Sequence, residues 1–113
     1  MEIEEIEEIE DSFAKAAFRA KEAGFDEVEI HSAHGYLLNQ FLSPLTNKRT
    51  DQYGGGIEGR IKIHLEIIRK IKEKVGQDYP LYLRMGAGDN IDGGLSRQDA
   101  VFAAREFERA GID

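Results

Sequence analysis

Apolar residues recur every three or four positions over the first 23 residues: Ile3, Ile6, Ile9, Phe13, Ala16, Ala17 and Ala20, with charges between them. That period is one face of an amphipathic helix. Its start is acidic and Arg19 and Lys21 lie near its end, as the helix dipole favours. Gly24 stands where a left-handed residue closes a helix. The period then drops to two at residues 26–31, where Val28 and Ile30 alternate with Glu27 and Glu29 and predict a strand. Residues 32–56 sustain no period and read as a long loop, with a short helical turn at 36–42. A structureless stretch of ~25 residues is uncommon in a compact domain and usually serves function.

Helical spacing returns with Ile61, Leu65, Ile68, Ile71 and Val75. Residues 79–84 predict a second strand, opened by Pro80 where a missing N–H matters least. A glycine-rich loop covers 86–95. Ser96 and Asp99 then make a Ser-x-x-Asp cap for a last helix through Ala100, Val101, Ala104 and Phe107, ended by Gly111. The order is α-β-α-β-α, and this alternation predicts βαβ units with two parallel strands. Ala23-Gly24-Phe25-Asp26 and Ala110-Gly111-Ile112-Asp113 share their wording. The first leads into a strand, so the second is expected to do the same.

Composition narrows the function. With 15 Lys and Arg against 22 Asp and Glu, 15 − 22 gives −7, which disfavours a nucleic-acid backbone as partner. Zero Cys excludes disulfide, zinc-thiolate and Fe–S chemistry held by these residues. No apolar run approaches the ~20 residues of a membrane span, and the acidic start lacks the pattern of a secretory peptide. A cytoplasmic protein is expected. The early Glu run reads as the solvated face of a helix.

The distinctive wording is Val28-Glu29-Ile30-His31-Ser32-Ala33-His34-Gly35-Tyr36-Leu37, then Phe41-Leu42-Ser43-Pro44-Leu45-Thr46-Asn47-Lys48-Arg49-Thr50-Asp51 and Tyr53-Gly54-Gly55. It resembles the Old Yellow Enzyme family of FMN-dependent ene reductases and NADH:flavin oxidoreductases. The resemblance implies a fold of the α/β class: residues 1–113 as part of a (β/α)8 TIM barrel, from its third helix to its fifth. Active-site groups of such barrels sit at the C-terminal ends of the strands, where His31, His34 and Arg84 fall. By the resemblance, His31 and His34 hold the substrate's carbonyl oxygen, Tyr36 delivers a proton, and Arg84 faces the pyrimidine edge of FMN. NAD(P)H is the implied reductant and an activated alkene, enone or enoyl thioester, the implied substrate.

Plainer readings stand beside these. Two histidines three apart also suit a metal, although no third ligand with suitable spacing is near and His64 lies mid-helix. Tyr36 also suits packing under the loop, and Arg84 an ion pair with Glu29 or Asp89. Gly54-Gly55-Gly56 lacks the Lys and Ser/Thr of a phosphate loop and reads as a turn entering a helix. Gly56, Gly59, His64 and Gly86 depart from the family's usual Ser, Asn, large apolar residue and Ser.

The resemblance also puts the first barrel strands and the phosphate-binding turns outside these residues. Weak or absent FMN binding is therefore expected of an isolated chain. Two strands with open edges predict self-association into a homo-oligomer, or completion by a separate barrel piece.

Overall fold

In the computed structural model, which describes residues 1–113, every predicted helical period becomes a helix. The long helix α1 (Ile3–Glu22) is followed by β1 (Val28–Ser32), then the short α2 (Leu37–Leu42) and α3 (Ile57–Arg60). Next come α4 (Lys62–Val75), β2 (Leu81–Met85) and α5 (Arg97–Ala110). The predicted order holds, with α2 and α3 as two short helices inside and after the stretch read as loop. Both strands begin two residues later than the pattern placed them. Parallel pairing decides this, since the ladder is entered by the Val28 N–H donating to the Pro80 carbonyl.

β1 and β2 are parallel, in the register Val28↔Leu81 to Ser32↔Met85. Alternation gives this ribbon two unlike faces. Ile30, Ser32 and Leu81 are buried, and Val28, Leu83 and Met85 are half-buried against the core. Glu29, His31, Tyr82 and Arg84 point the other way and are exposed. The helices cover only the first face, where Ile6, Ala14, Ile63, Ile67, Ile68, Ile71, Ala103 and Phe107 join the strands in one core.

The inward faces of two helices differ from the reading of their periods. On α5 the buried residues are Ala100, Ala103 and Phe107, while Val101 and Ala104 look outward. On α1, Ala16 is exposed and a carboxylate, Glu10, takes a buried place in the stripe. α4 buries a broader face than the single stripe, adding Ile63, His64 and Ile67, while Leu65 is only half-buried. The other early glutamates (Glu4, Glu5, Glu7 and Glu8) are exposed, as a solvated face should be.

Two local rules worked as read. Ser96 Oγ accepts from the Asp99 N–H and caps α5. Gly24 (φ +90°) and Gly111 (φ +126°) take the left-handed region just beyond α1 and α5. After the second of these phrases, the Asp113 N–H donates to the Leu81 carbonyl at 2.9 Å, so that residue already lies alongside β2.

The glycine run is a turn and helix start, with Gly56 as the N-cap of α3. Gly59 has a steric reason. A Cβ there would overlap the Gly54 carbonyl oxygen, and one at Gly54 would overlap Arg49. The loop therefore lies directly against α3, an approach that only residues without a side chain allow. His64 takes its apolar position by packing and one hydrogen bond, with its Nδ1 left buried and unpartnered. It is fully buried, its ring stacks on Phe107 with centroids 5.1 Å apart, and its Nε2 lies 2.8 Å from Ser32 Oγ.

Candidate functional site

The open face of the ribbon gathers the polar chemistry. His31 and Arg84 are register partners on adjacent parallel strands, and so stand side by side at the C-terminal ends of β1 and β2. Directly after β1 the chain turns sharply, with left-handed backbone at both His34 (φ 60°) and Gly35 (φ 78°). Histidine is among the few side chains that tolerate this region, and glycine enters it freely. The turn is pinned from both sides. Gly35 N–H donates to Asn39 Oδ1 at 2.8 Å, and Gln40 Nε2 donates to the Gly35 carbonyl at 2.7 Å.

This reversal folds His34 and Tyr36 back toward the strand. The His31 ring centroid lies 5.3 Å from that of His34 and 5.3 Å from that of Tyr36. Tyr36 is the N-cap residue of α2 and its side chain is 63% exposed, which sets aside packing under the loop. Three hydrogen-bonding rings thus converge at one strand end, beside a guanidinium.

Arg84 is ion-paired with Glu29, with Nε 3.1 Å from Oε2. Asp89, the other partner considered from the sequence, instead accepts from the Ser43 hydroxyl and the Leu95 N–H. The Glu29 contact takes Nε and Nη2 of Arg84 and leaves Nη1 out of the pair. Both side chains are about half exposed, at 59% and 47%, so the pair adds little stability and chiefly orients the guanidinium. No group of three or more His, Cys, Asp or Glu side chains is arranged to hold a metal. No helix is long and apolar enough to cross a membrane.

Sequence reasoning missed Tyr82 as a member of this face and named Glu29 only as a possible partner of Arg84. The signal was the alternation itself: in a strand, residues two apart share a side, so Glu29 goes with His31 and Tyr82 with Arg84. The long loop is organised by residues that carried no motif weight alone. Asn47 Nδ2 donates to the carbonyls of Phe41 and Tyr53, and Arg49 forks onto Asp51.

Two parallel strands joined by helices, with polar groups collected at the carboxyl ends of the strands, form a small α/β piece of the kind that builds β/α barrels. Residues 1–112 match the NADH:flavin oxidoreductase / NADH oxidase family, and the chain belongs to that family, the Old Yellow Enzyme family. It is 51% identical over 110 residues to an NADH oxidase of Thermoanaerobacter brockii, covering 97% of this chain and 17% of that protein. It is 47% identical over 113 residues to an NADPH dehydrogenase of Bacillus subtilis, covering 100% of this chain and 33% of the relative.

Solved structures agree. A 2-naphthoyl-CoA reductase in complex with 2-naphthoyl-CoA superposes with a TM-score of 0.94 at 40% identity, over 99% of this chain and 17% of that one. Morphinone reductase in complex with tetrahydroNAD gives 0.86 at 39%, over 99% and 31%. The chain therefore spans between 17% and 33% of the length of these relatives.

Proposed function

We propose that this chain supplies the substrate-polarising wall of an FMN-dependent ene reductase, and the observation that carries the reading is the His31–His34–Tyr36 ring cluster beside Arg84. The residues fit a flavin edge. Arg84 presents a permanent cation with N–H groups left out of its ion pair, suited to an acceptor-rich pyrimidine ring. When bound there, FMN supplies the hydride that it has taken from NAD(P)H.

The side chains of this chain then act on the substrate. His31 and His34 donate hydrogen bonds to the carbonyl oxygen of an enone or enoyl thioester. As hydride reaches the β-carbon, the C=C π pair moves toward the carbonyl and negative charge grows on that oxygen. Two fixed donors stabilise it there more than in the ground state. The Tyr36 hydroxyl delivers the proton that completes the saturated product at the α-carbon. Titrating FMN into the purified chain tests the flavin assignment through quenching of flavin fluorescence. Native chain is expected to bind more tightly than Arg84→Ala, and equal affinities would sink the assignment.

The two flanks of this unit support a second part of the reading, that copies of the chain associate side by side. Each unpaired strand edge opens into an apolar groove. One, of about 310 Å³, is lined by Phe13, Ala16, Val28 and Ile30, and the other, of about 290 Å³, by Met85, Ala100, Val101 and Ala104. Beyond the first, the outer side of α1 carries Glu5 and Glu8 next to Ile9. Beyond the second, α5 presents Arg97 and Arg105 around Val101 and Phe102. Apolar strips bordered by opposite charges suit head-to-tail contact between copies. Sedimentation velocity at micromolar concentration is expected to show oligomers. Arg97→Glu with Arg105→Glu should weaken them, and adding Glu5→Arg with Glu8→Arg should restore them. A native chain that sediments as a monomer contradicts this association.

A further inference from the structure

Away from the open face, the seam between α1 and α4 holds a group that the proposed chemistry does not use. Glu10 is 1% exposed, in the middle of the apolar stripe of α1. From α4, Glu66 and Lys70 face it, with Lys70 Nζ 3.1 Å from Glu10 Oε2. The same ammonium lies 2.7 Å from Asp11 on α1, and so is shared between two carboxylates. Glu66 is itself held by Lys62 at 2.9 Å and by the Tyr53 hydroxyl, which donates to it at 2.8 Å from the loop. Glu7 of α1 lies within electrostatic reach of the same cluster.

One atom does not balance. Glu10 Oε1 is buried and lacks a partner as long as both glutamates are taken as acceptors. An ionised carboxylate oxygen in that position is costly, and two adjacent ionised carboxylates repel each other as well. A proton on Glu10 removes both problems, because a carboxylic acid can donate to the Glu66 carboxylate.

We propose that Glu10 is a carboxylic acid that hydrogen-bonds Glu66, so that the α1–α4 seam is a proton-dependent latch whose release loosens α1 and the Tyr53 loop from α4. The reach of the latch follows from the bonding. Tyr53 links Glu66 to the loop, Asn47 ties the Tyr53 carbonyl to that of Phe41, and Phe41 lies in α2, whose first turn is set by Tyr36. Burial, followed by the Glu66 hydrogen bond, pushes Glu10 up from 4.5 to about 7, against a smaller opposing pull from Lys70. Glu66 moves the other way: burial raises it, but its bonds to Lys62, Glu10 and Tyr53 together outweigh that and draw it down.

The sign follows from linkage. Below 4.5 both folded and unfolded chains hold the Glu10 proton, and its full contribution to stability is present. Between 4.5 and about 7 only the folded chain keeps it, so that contribution falls as pH rises and is gone above about 7. The lowered Glu66 contributes in the opposite sense, but below its ordinary 4.5. His64 also opposes Glu10. Burial pulls it from 6.5 down to about 3, so its contribution is complete above 6.5 and declines as pH falls. Glu10→Gln isolates the latch, since its amide still donates to Glu66 but does not titrate.

The test measures thermal midpoints of native chain and Glu10→Gln from pH 5 to 8.5, together with the carbon-13 shift of the Glu10 carboxyl in the native chain. The variant is expected to gain several degrees on the native chain between pH 5 and 7.5, with a constant offset above that. The carboxyl should titrate near neutrality, and amide-exchange protection in α1 and residues 47–53, after correction for the intrinsic pH dependence of exchange, should fall across the same range in the native chain alone. A carboxyl that titrates near 4.5, or a pH-independent difference in midpoints, overturns the latch. Because the carbon-13 titration needs no variant, it decides the matter even where Glu10→Gln folds poorly.

Discussion

On the proposed role, and in a barrel completed so that it binds FMN, alanine at His31 or His34 is expected to slow NAD(P)H-dependent reduction of a simple enone such as 2-cyclohexenone by about 10²-fold, as loss of one donor from an oxyanion site does. The double variant should lose less than the product of the single effects, because both rings act on the same oxygen. The loss should fall on kcat/KM and on kcat alike, since charge on the oxygen grows only toward the transition state. Both side chains are exposed, so the unfolding free energy of His31→Ala should stay within about 0.5 kcal/mol of native, while His34→Ala, at a left-handed position, should lose somewhat more. A turnover unchanged in the double variant would remove the carbonyl-binding role. A slower turnover accompanied by an equal loss of fold would instead make the pair structural.

The largest expected change in stability is at Arg60. Its guanidinium is 6% exposed and spans three segments: Nε donates to the Leu42 carbonyl at 2.9 Å, Nη1 to Gly55 at 3.0 Å and Nη2 to Asp99 at 2.6 Å. It therefore ties the end of α2, the glycine turn and the first turn of α5 to the end of α3. Arg60→Met keeps much of the volume but strands two carbonyls and a carboxylate. Asp99 is 36% exposed and can be rehydrated, so the cost is chiefly that of the stranded carbonyls, about 1–3 kcal/mol, and urea unfolding of the two chains measures it. Arg60→Lys should recover only part, because an ammonium lacks the planar fork that reaches three acceptors at once. A loss under about 1 kcal/mol for Arg60→Met would mean that the three segments are held by packing alone.

Neither residue was equally legible beforehand. The histidines stood in a phrase long enough to mark a family, and their position after an alternating run placed them at a strand end. Arg60 had no such setting: a cation next to a glycine-rich stretch reads as exposed. Only the fold brings Leu42, Gly55 and Asp99, which lie far apart along the chain, within its reach. The same holds for Glu10. A three-to-four period identifies the α1 stripe but treats a glutamate as an interruption, whereas the structure buries it because Glu66 and Lys70 meet it from α4. On α5, Ala100, Val101, Ala103 and Ala104 are nearly alike in size and polarity. Their sequence therefore did not choose a side, and contact with α4 selected Ala103 over Val101 and Ala104.

By itself the sequence determined the kinds of element, their order, the two caps, the parallel pairing and the family. These follow from local period, turn chemistry and a long contiguous phrase. The tertiary structure decided which groups meet: His31 beside Arg84 through strand register, Glu29 rather than Asp89 as the partner of Arg84, and Glu10 against Glu66 at a buried seam. Each of these contacts joins residues distant along the chain, and its energy depends on separation, burial and the protonation that burial enforces. None of those quantities is carried by local spacing.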